Sequence, residues 1–137
     1  MKILEISTER QGLLEISDLV ANEVRAAGIN SGIATIFIQH TSASLTIQEN
    51  ADPSARRDLE SWLNRLVPEH DPLYTHTAEG PDDMPSHIKA ILTQCSLTVP
   101  VIDGRLALGT WQGIYLWEHR KGRQRRRVIV AVVATCI

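Results

Sequence analysis

Hydrophobic residues from Ile33 to Ile38 form a β-branched and aromatic run with the composition of a strand buried on at least one face. Lys2 to Ser7 alternates closely enough to predict an opening strand. Gln11-Gly12 then reads as a turn before a short strand at Leu13 to Ile16. Ser17 is placed to cap a helix that carries Leu19, Val20, Val24 and Ala27 at helical spacing, and Gly28 is placed to end it. A second short strand is expected at Leu45 to Gln48. Asp52-Pro53 opens a helix whose predicted buried stripe is Leu59, Trp62, Leu63 and Leu66, and Pro68 stops it.

Residues 68–86 contain Pro68, Pro72, Gly80, Pro81 and Pro85, too irregular for regular structure; loops of that length in a compact domain are usually functional or disordered. Asp82 and Asp83 with Pro85 start another helix, on which His87, Ile88, Ile91 and Leu92 adjoin. The last third is β-rich. Leu97 to Ile102 runs into the hairpin signal Asp103-Gly104, and the chain returns as Arg105 to Leu108. Strands at Ile114 to Glu118 and Val128 to Ala134 follow, separated by a basic turn containing Gly122.

A chain of 137 residues without a linker or repeat is expected to form one domain, residues 1–137. With 43% apolar and 22% charged residues, no stretch long enough to span a membrane and no signal-peptide layout at Met1 to Ile6, a cytoplasmic protein is expected. Cys95 and Cys136 sit in apolar, strand-like surroundings and are expected to be buried, reduced thiols. The net charge of −2 is unevenly spread: six of the 14 basic residues lie between Arg120 and Arg127, which leaves the remainder acidic. A solvated, edge-protecting hairpin is the plain reading of that cluster. Few aromatics interleave with it and no nucleic-acid motif accompanies it, which argues against RNA or DNA; contact with a neighbouring subunit is the third alternative.

The chemistry concentrates after the Ile33 strand, where His40, Thr41, Ser42, Ser44, Glu49 and Asn50 leave one rigid element together. His40, His76 and His87 each stand at an element end or in a polar loop, and no pair has the spacing of a helical metal motif, so folding must assemble any shared site. If they converge, neutral imidazoles with Asp82, Asp83, Asp58 or Glu49 suit a divalent cation, zinc or magnesium; protonated imidazoles beside helix N-terminal amides suit a phosphate directly. Both point to a small phosphorylated substrate. A serine nucleophile is disfavoured because no Gly-x-Ser-x-Gly elbow is present. His70 reads as a surface residue, His119 borders the basic hairpin, and Glu118, ending a strand beside it, has a rim charge as its plain reading.

Gln39-His40-Thr41-Ser42-Ala43-Ser44 with Glu49-Asn50, then His76 and His87, then Asp103-Gly104-Arg105-Leu106 and Leu108-Gly109-Thr110-Trp111-Gln112, together resemble the YjbQ family, also called the secondary thiamine-phosphate synthase family. The likeness spans nearly the whole chain. It implies an α+β domain with a curved mixed or antiparallel sheet and helices packed on one side, assembled as a homotrimer with sites near subunit boundaries. It further implies a weak thiamine-phosphate synthase activity, a transferase joining hydroxymethylpyrimidine diphosphate to thiazole phosphate with loss of pyrophosphate. The alternative is a non-catalytic trimer that binds a small phosphorylated ligand or nucleic acid. His40, His76 and His87 are the residues carried over as metal-binding and catalytic, with Asp58 and Glu118 as further catalytic candidates. Thr41, Ser42, Asn50, Trp111 and Gln112 are carried over for substrate and phosphate.

Overall fold

The computed structural model describes residues 1–136. Eight strands and three helices follow in the order β1 (Lys2–Thr8), β2 (Gly12–Glu15), α1 (Ser17–Ala27), β3 (Gly32–Ile38), β4 (Ala43–Glu49), α2 (Pro53–Leu66), α3 (Asp83–Leu92), β5 (Ser96–Ile102), β6 (Arg105–Leu106), β7 (Gln112–Glu118) and β8 (Gln124–Ala134). The result is an α+β fold of two antiparallel sheets, one in the order β1-β8-β3-β5-β6 and one in the order β2-β7-β4.

The predicted central strand alternates buried and exposed residues without a break, so Ala34, Ile36 and Ile38 face the core while Ile33, Thr35 and Phe37 face away. The core beneath it joins Ile16, Val20 and Val24 to Leu97, Val99, Val101, Val128 and Val130 from the large sheet and to Leu45, Ile114 and Leu116 from the small one. Asp103 and Gly104 both adopt positive φ, 53° and 77°, as a tight hairpin turn requires, although the returning strand β6 has only two residues. Gly28 ends α1 in the left-handed conformation, as expected.

Four expectations change. Ser17 does not cap α1: its Oγ donates to Glu15 Oε2 at 2.8 Å and accepts the Ile114 N–H at 2.8 Å, tying β2 to β7. Of the α2 stripe only Leu63 is buried, while Trp62 and Leu66 are 52% and 51% exposed. The helix sits on the narrow three-stranded sheet, where Leu63, Leu59 and Val67 meet Leu13, Tyr115 and Trp117 and leave no room for a wider stripe. β8 begins at Gln124 rather than Val128, because backbone pairing with β1 carries the strand through its charged residues. Cys95 and Cys136 are both free and exposed.

Three of the six connections that carry the backbone between the two sheets are residues 9–11 from β1 to β2, residues 39–42 from β3 to β4, and residues 119–123 from β7 to β8. Glu118 pairs with both Gly12 and Ala43, so all three crossings gather at one end of the molecule. That end is where the polar residues collect.

Candidate metal centre

Asp83 opens α3 with its side chain only 2% exposed, and its two oxygens face different partners. Oδ1 accepts a hydrogen bond from Arg120 Nη1 at 2.8 Å. Oδ2 lies 2.7 Å from His76 Nε2 and 3.1 Å from His87 Nε2. One helical turn separates Asp83 from His87, which puts both on one face, and the loop before α3 brings His76 to within 5.4 Å of the His87 ring. The three potential ligand atoms all lie within 4.8 Å of one another.

The other nitrogen of His87 decides what Nε2 can do. Nδ1 lies 2.8 Å from the backbone oxygen of Thr41, an atom that only accepts, so Nδ1 carries the hydrogen. A neutral His87 therefore directs a lone pair toward a carboxylate oxygen, and that arrangement is satisfied by a cation between them, either a proton or a metal ion. This backbone contact is the kind of outer partner that fixes a ligating imidazole's tautomer. Burial alone would raise the Asp83 pKa, but hydrogen bonding with His76, the positive charge that His87 carries when the bridging cation is a proton, and the Arg120 guanidinium outweigh it and leave the carboxyl below its ordinary value.

Arg120 holds the carboxylates. Its Nε donates to Asp82 Oδ2 at 3.0 Å and its Nη2 to the Glu79 backbone oxygen at 3.0 Å, while the Lys121 N–H adds a second bond to Asp82 at 2.9 Å. One guanidinium in the β7–β8 crossing thus fixes the loop end, Asp82 and Asp83 together.

His40 lies outside this cluster. Its Nε2 accepts the backbone N–H of Arg127 at 2.8 Å, and Nδ1 faces Arg126 Nη1 at 3.4 Å. Burial first, then the charge of Arg126, keeps His40 below the usual histidine pKa. With its lone pair committed to β8, His40 anchors the crossing rather than supplying a metal ligand, so the expected three-histidine set is corrected to His76, His87 and Asp83. His40 and Thr41 still share with His87 the wall of a cavity of about 440 Å³.

Glu118 is fully buried rather than on the rim. Arg126 Nε donates to its Oε1 at 2.7 Å, Arg126 Nη2 donates to Oε2, and Thr8 Oγ1 and the Arg120 N–H complete its partners at 2.7 and 3.0 Å. Every lone-pair direction is occupied within the protein, which leaves no role at a reacting atom. Ser42 contributes its backbone oxygen to Arg126 Nη2 at 3.2 Å. Beside this pair, His119 Nε2 meets Ser44 Oγ at 2.8 Å, and burial, with the charges of Lys89 and Arg126, drives its pKa down to about 3.

The remaining expected site residues are elsewhere. Asn50, Trp111 and Gln112 lie at the opposite end of β4 and β7, roughly 20 Å along the strands from Ala43. There the Asn50 N–H donates to the Trp111 backbone oxygen, and Gln112 Oε1 accepts the Gly109 N–H. Asp58 is exposed on α2. Sequence reasoning named Asp83 only as one carboxylate among four, although its i, i+4 relation to His87 distinguishes it; the roles of Arg120 and Arg126 were missed, hidden inside a run that reads as surface charge.

Residues 2–135 match the family described as UPF0047 protein YjbQ-like. A UPF0047 protein of Synechocystis sp. is 47% identical over 131 residues, covering 96% of this chain and 89% of that one. The UPF0047 protein YjbQ of Escherichia coli O157:H7 is 43% identical, covering 96% and 95%. Among solved structures, an uncharacterised protein of the YjbQ/UPF0047 family from Clostridium acetobutylicum superposes with a TM-score of 0.85 at 37% identity, covering 95% and 99% of the two chains. A conserved hypothetical protein from Thermus thermophilus gives 0.84 at 35%, covering 97% and 100%. These relatives bear the names of uncharacterised proteins and none is named for thiamine-phosphate synthesis, so that expected activity is withdrawn. What the match over residues 2–135 establishes is membership: this chain belongs to the UPF0047 YjbQ-like family.

Proposed function

We propose that this protein is a divalent-metal-dependent enzyme acting on a small phosphorylated substrate, with the ion held by His76 Nε2, His87 Nε2 and Asp83 Oδ2. The observation that carries the reading is the His87 tautomer: Nδ1–H is spent on the Thr41 carbonyl, and Nε2 is aimed at the same carboxylate oxygen as His76. Two imidazoles with one carboxylate favour zinc or a similar nitrogen-seeking ion over magnesium. Three protein ligands at a solvent-facing position match open sites better than closed structural ones; the His76 and His87 side chains are 47% and 30% exposed. Bound there, such an ion would supply Lewis-acid polarisation of a phosphoryl oxygen and an acidified water. The protein's own part is to hold the imidazoles through Thr41, to orient Asp83 through Arg120, and to leave one side open to substrate.

Metal analysis of tag-free protein, followed by zinc titration of the native chain and of His87→Ala, tests this. Stoichiometric uptake lost in the variant is expected. Absence of uptake by the native protein, with phosphate binding retained at low pH, would instead support protonated histidines as a direct phosphate site.

Self-association as a homotrimer also has a supporting feature. Pro100, Ile33 and Val133 stand side by side across β5, β3 and β8, and Phe37, Ile129 and Ile3 form a second row on the same outward face. Such an exposed apolar face is characteristic of interfaces. Sedimentation equilibrium should give three subunits, with Phe37→Asp shifting the protein toward monomer. Pairing within the chain of Arg120, Lys121, Arg123 and Arg126 with acidic partners weighs against nucleic acid as a ligand. Among the described residues no helix is long and apolar enough to cross a membrane.

A further inference from the structure

The geometry points to a substrate with organic groups on both sides of its phosphorus, a phosphodiester rather than a monoester or a polyphosphate; this rests on the metal reading above. Two cavities meet the histidine pair. One, of about 260 Å³, is lined by residues that include Tyr74, His76, Thr77, Pro81 and Met84. The other, of about 440 Å³, is lined by Thr41, His87, Ala90, Ile91 and Thr93 among others. No residue lines both.

Helix α3 relates them. Met84, His87 and Ile91 are spaced i, i+3 and i+7, which places them on one stripe, and Met84 is roughly 10 Å along the axis from Ile91. Met84 lines the first cavity and Ile91 the second, so His87 stands between two receptacles along one helix. A monoester has one organic group, which fills one receptacle and leaves the other to water. A diester has two, which fit one on each side while a phosphoryl oxygen meets the ligand atoms.

Charge separates the diester from a diphosphate. Among the described residues neither cavity is lined by lysine or arginine, so a second phosphate carried on either arm finds no cation. A diester carries a single negative charge, placed at the centre. Its hydrolysis balances with water alone: hydroxide joins phosphorus, one ester P–O bond breaks, and the departing alcohol takes the remaining proton.

Calorimetric titration of zinc-loaded protein with bis(4-nitrophenyl) phosphate and with 4-nitrophenyl phosphate tests the inference. The two-armed probe should bind roughly tenfold or more tightly than the one-armed probe despite its lower charge. Met84→Trp and Ile91→Trp, each filling one cavity, should each weaken the two-armed probe by roughly tenfold; Ile91 is 81% exposed, so the larger ring does not strain the core. Equal or tighter binding of the one-armed probe, or indifference of the two-armed probe to both fillings, would overturn the diester reading while zinc uptake remains intact. Failure to take up zinc overturns the metal reading itself, and the diester inference with it.

Discussion

Two histidine clusters share the crossing end of this molecule, and they differ in what their nitrogens are left to do. Around Glu118, Arg126, His40 and His119 the groups consume one another: Glu118 accepts four hydrogen bonds, His40 accepts a strand N–H, and His119 meets a buried serine. Around Asp83 two imidazole nitrogens converge on one oxygen from the solvent side. The same residue types give a closed cluster whose groups are spent on one another and an open one whose imidazoles stay partly exposed to solvent. Counting histidines does not separate the two; following each lone pair does.

The comparison can be broken most forcefully at Glu118. Glu118→Ala strands the buried Arg126 charge and should cost about 3–5 kcal/mol in denaturant unfolding, because an uncompensated buried charge remains. A loss below about 1 kcal/mol would mean that the closed cluster is not structural.

Acid provides the next test. Burial pushes His119 down to about 3 in the fold from its ordinary value of 6.5, so between those values the unfolded chain binds a proton that the native chain refuses. Stability is therefore full above pH 6.5 and declines as pH falls toward 3, by at most roughly 5 kcal/mol from this group. Thermal melts across that range should show the native protein losing stability as the pH falls, with His119→Gln losing less over the same interval.

In the open cluster the balance reverses. His87→Ala should lower zinc affinity by roughly a hundredfold or more, yet change stability by only about 1 kcal/mol, since the side chain is partly solvated. Arg120→Gln leaves all three candidate ligands in place but frees the Asp83 carboxylate, and a drop in zinc affinity of about tenfold to a hundredfold is expected by competition titration. Arg123→Ala removes a solvent-exposed pair with Glu9 and should shift the unfolding free energy by no more than about 0.5 kcal/mol.

Much of the fold was legible in the sequence because its signals are local. Ile33 to Ile38 alternates as a strand with one buried face, Asp52-Pro53 caps α2 through the Ser54 N–H, and Asp103-Gly104 makes the hairpin. The site was legible in part. Its histidines could be singled out as polar residues near element ends, but which of them meet depends on the crossings between sheets, and no local pattern encodes that. Nor does composition show that the middle of three consecutive arginines turns inward: Arg125 and Arg127 are exposed while Arg126 is buried, a consequence of strand alternation that acquires meaning only once Glu118 is beneath it.

The position of β8 sets the order of assembly. It lies between β1 and β3, yet it follows both in the chain, so a growing polypeptide exposes two open strand edges until residues 124–134 leave the ribosome. Residues 76–87 emerge well before Arg120, the side chain that steadies their carboxylate. The Asp83 carboxylate therefore gains its Arg120 partner only after the β7–β8 crossing has been synthesised, which makes the folded geometry of this cluster a late product of translation.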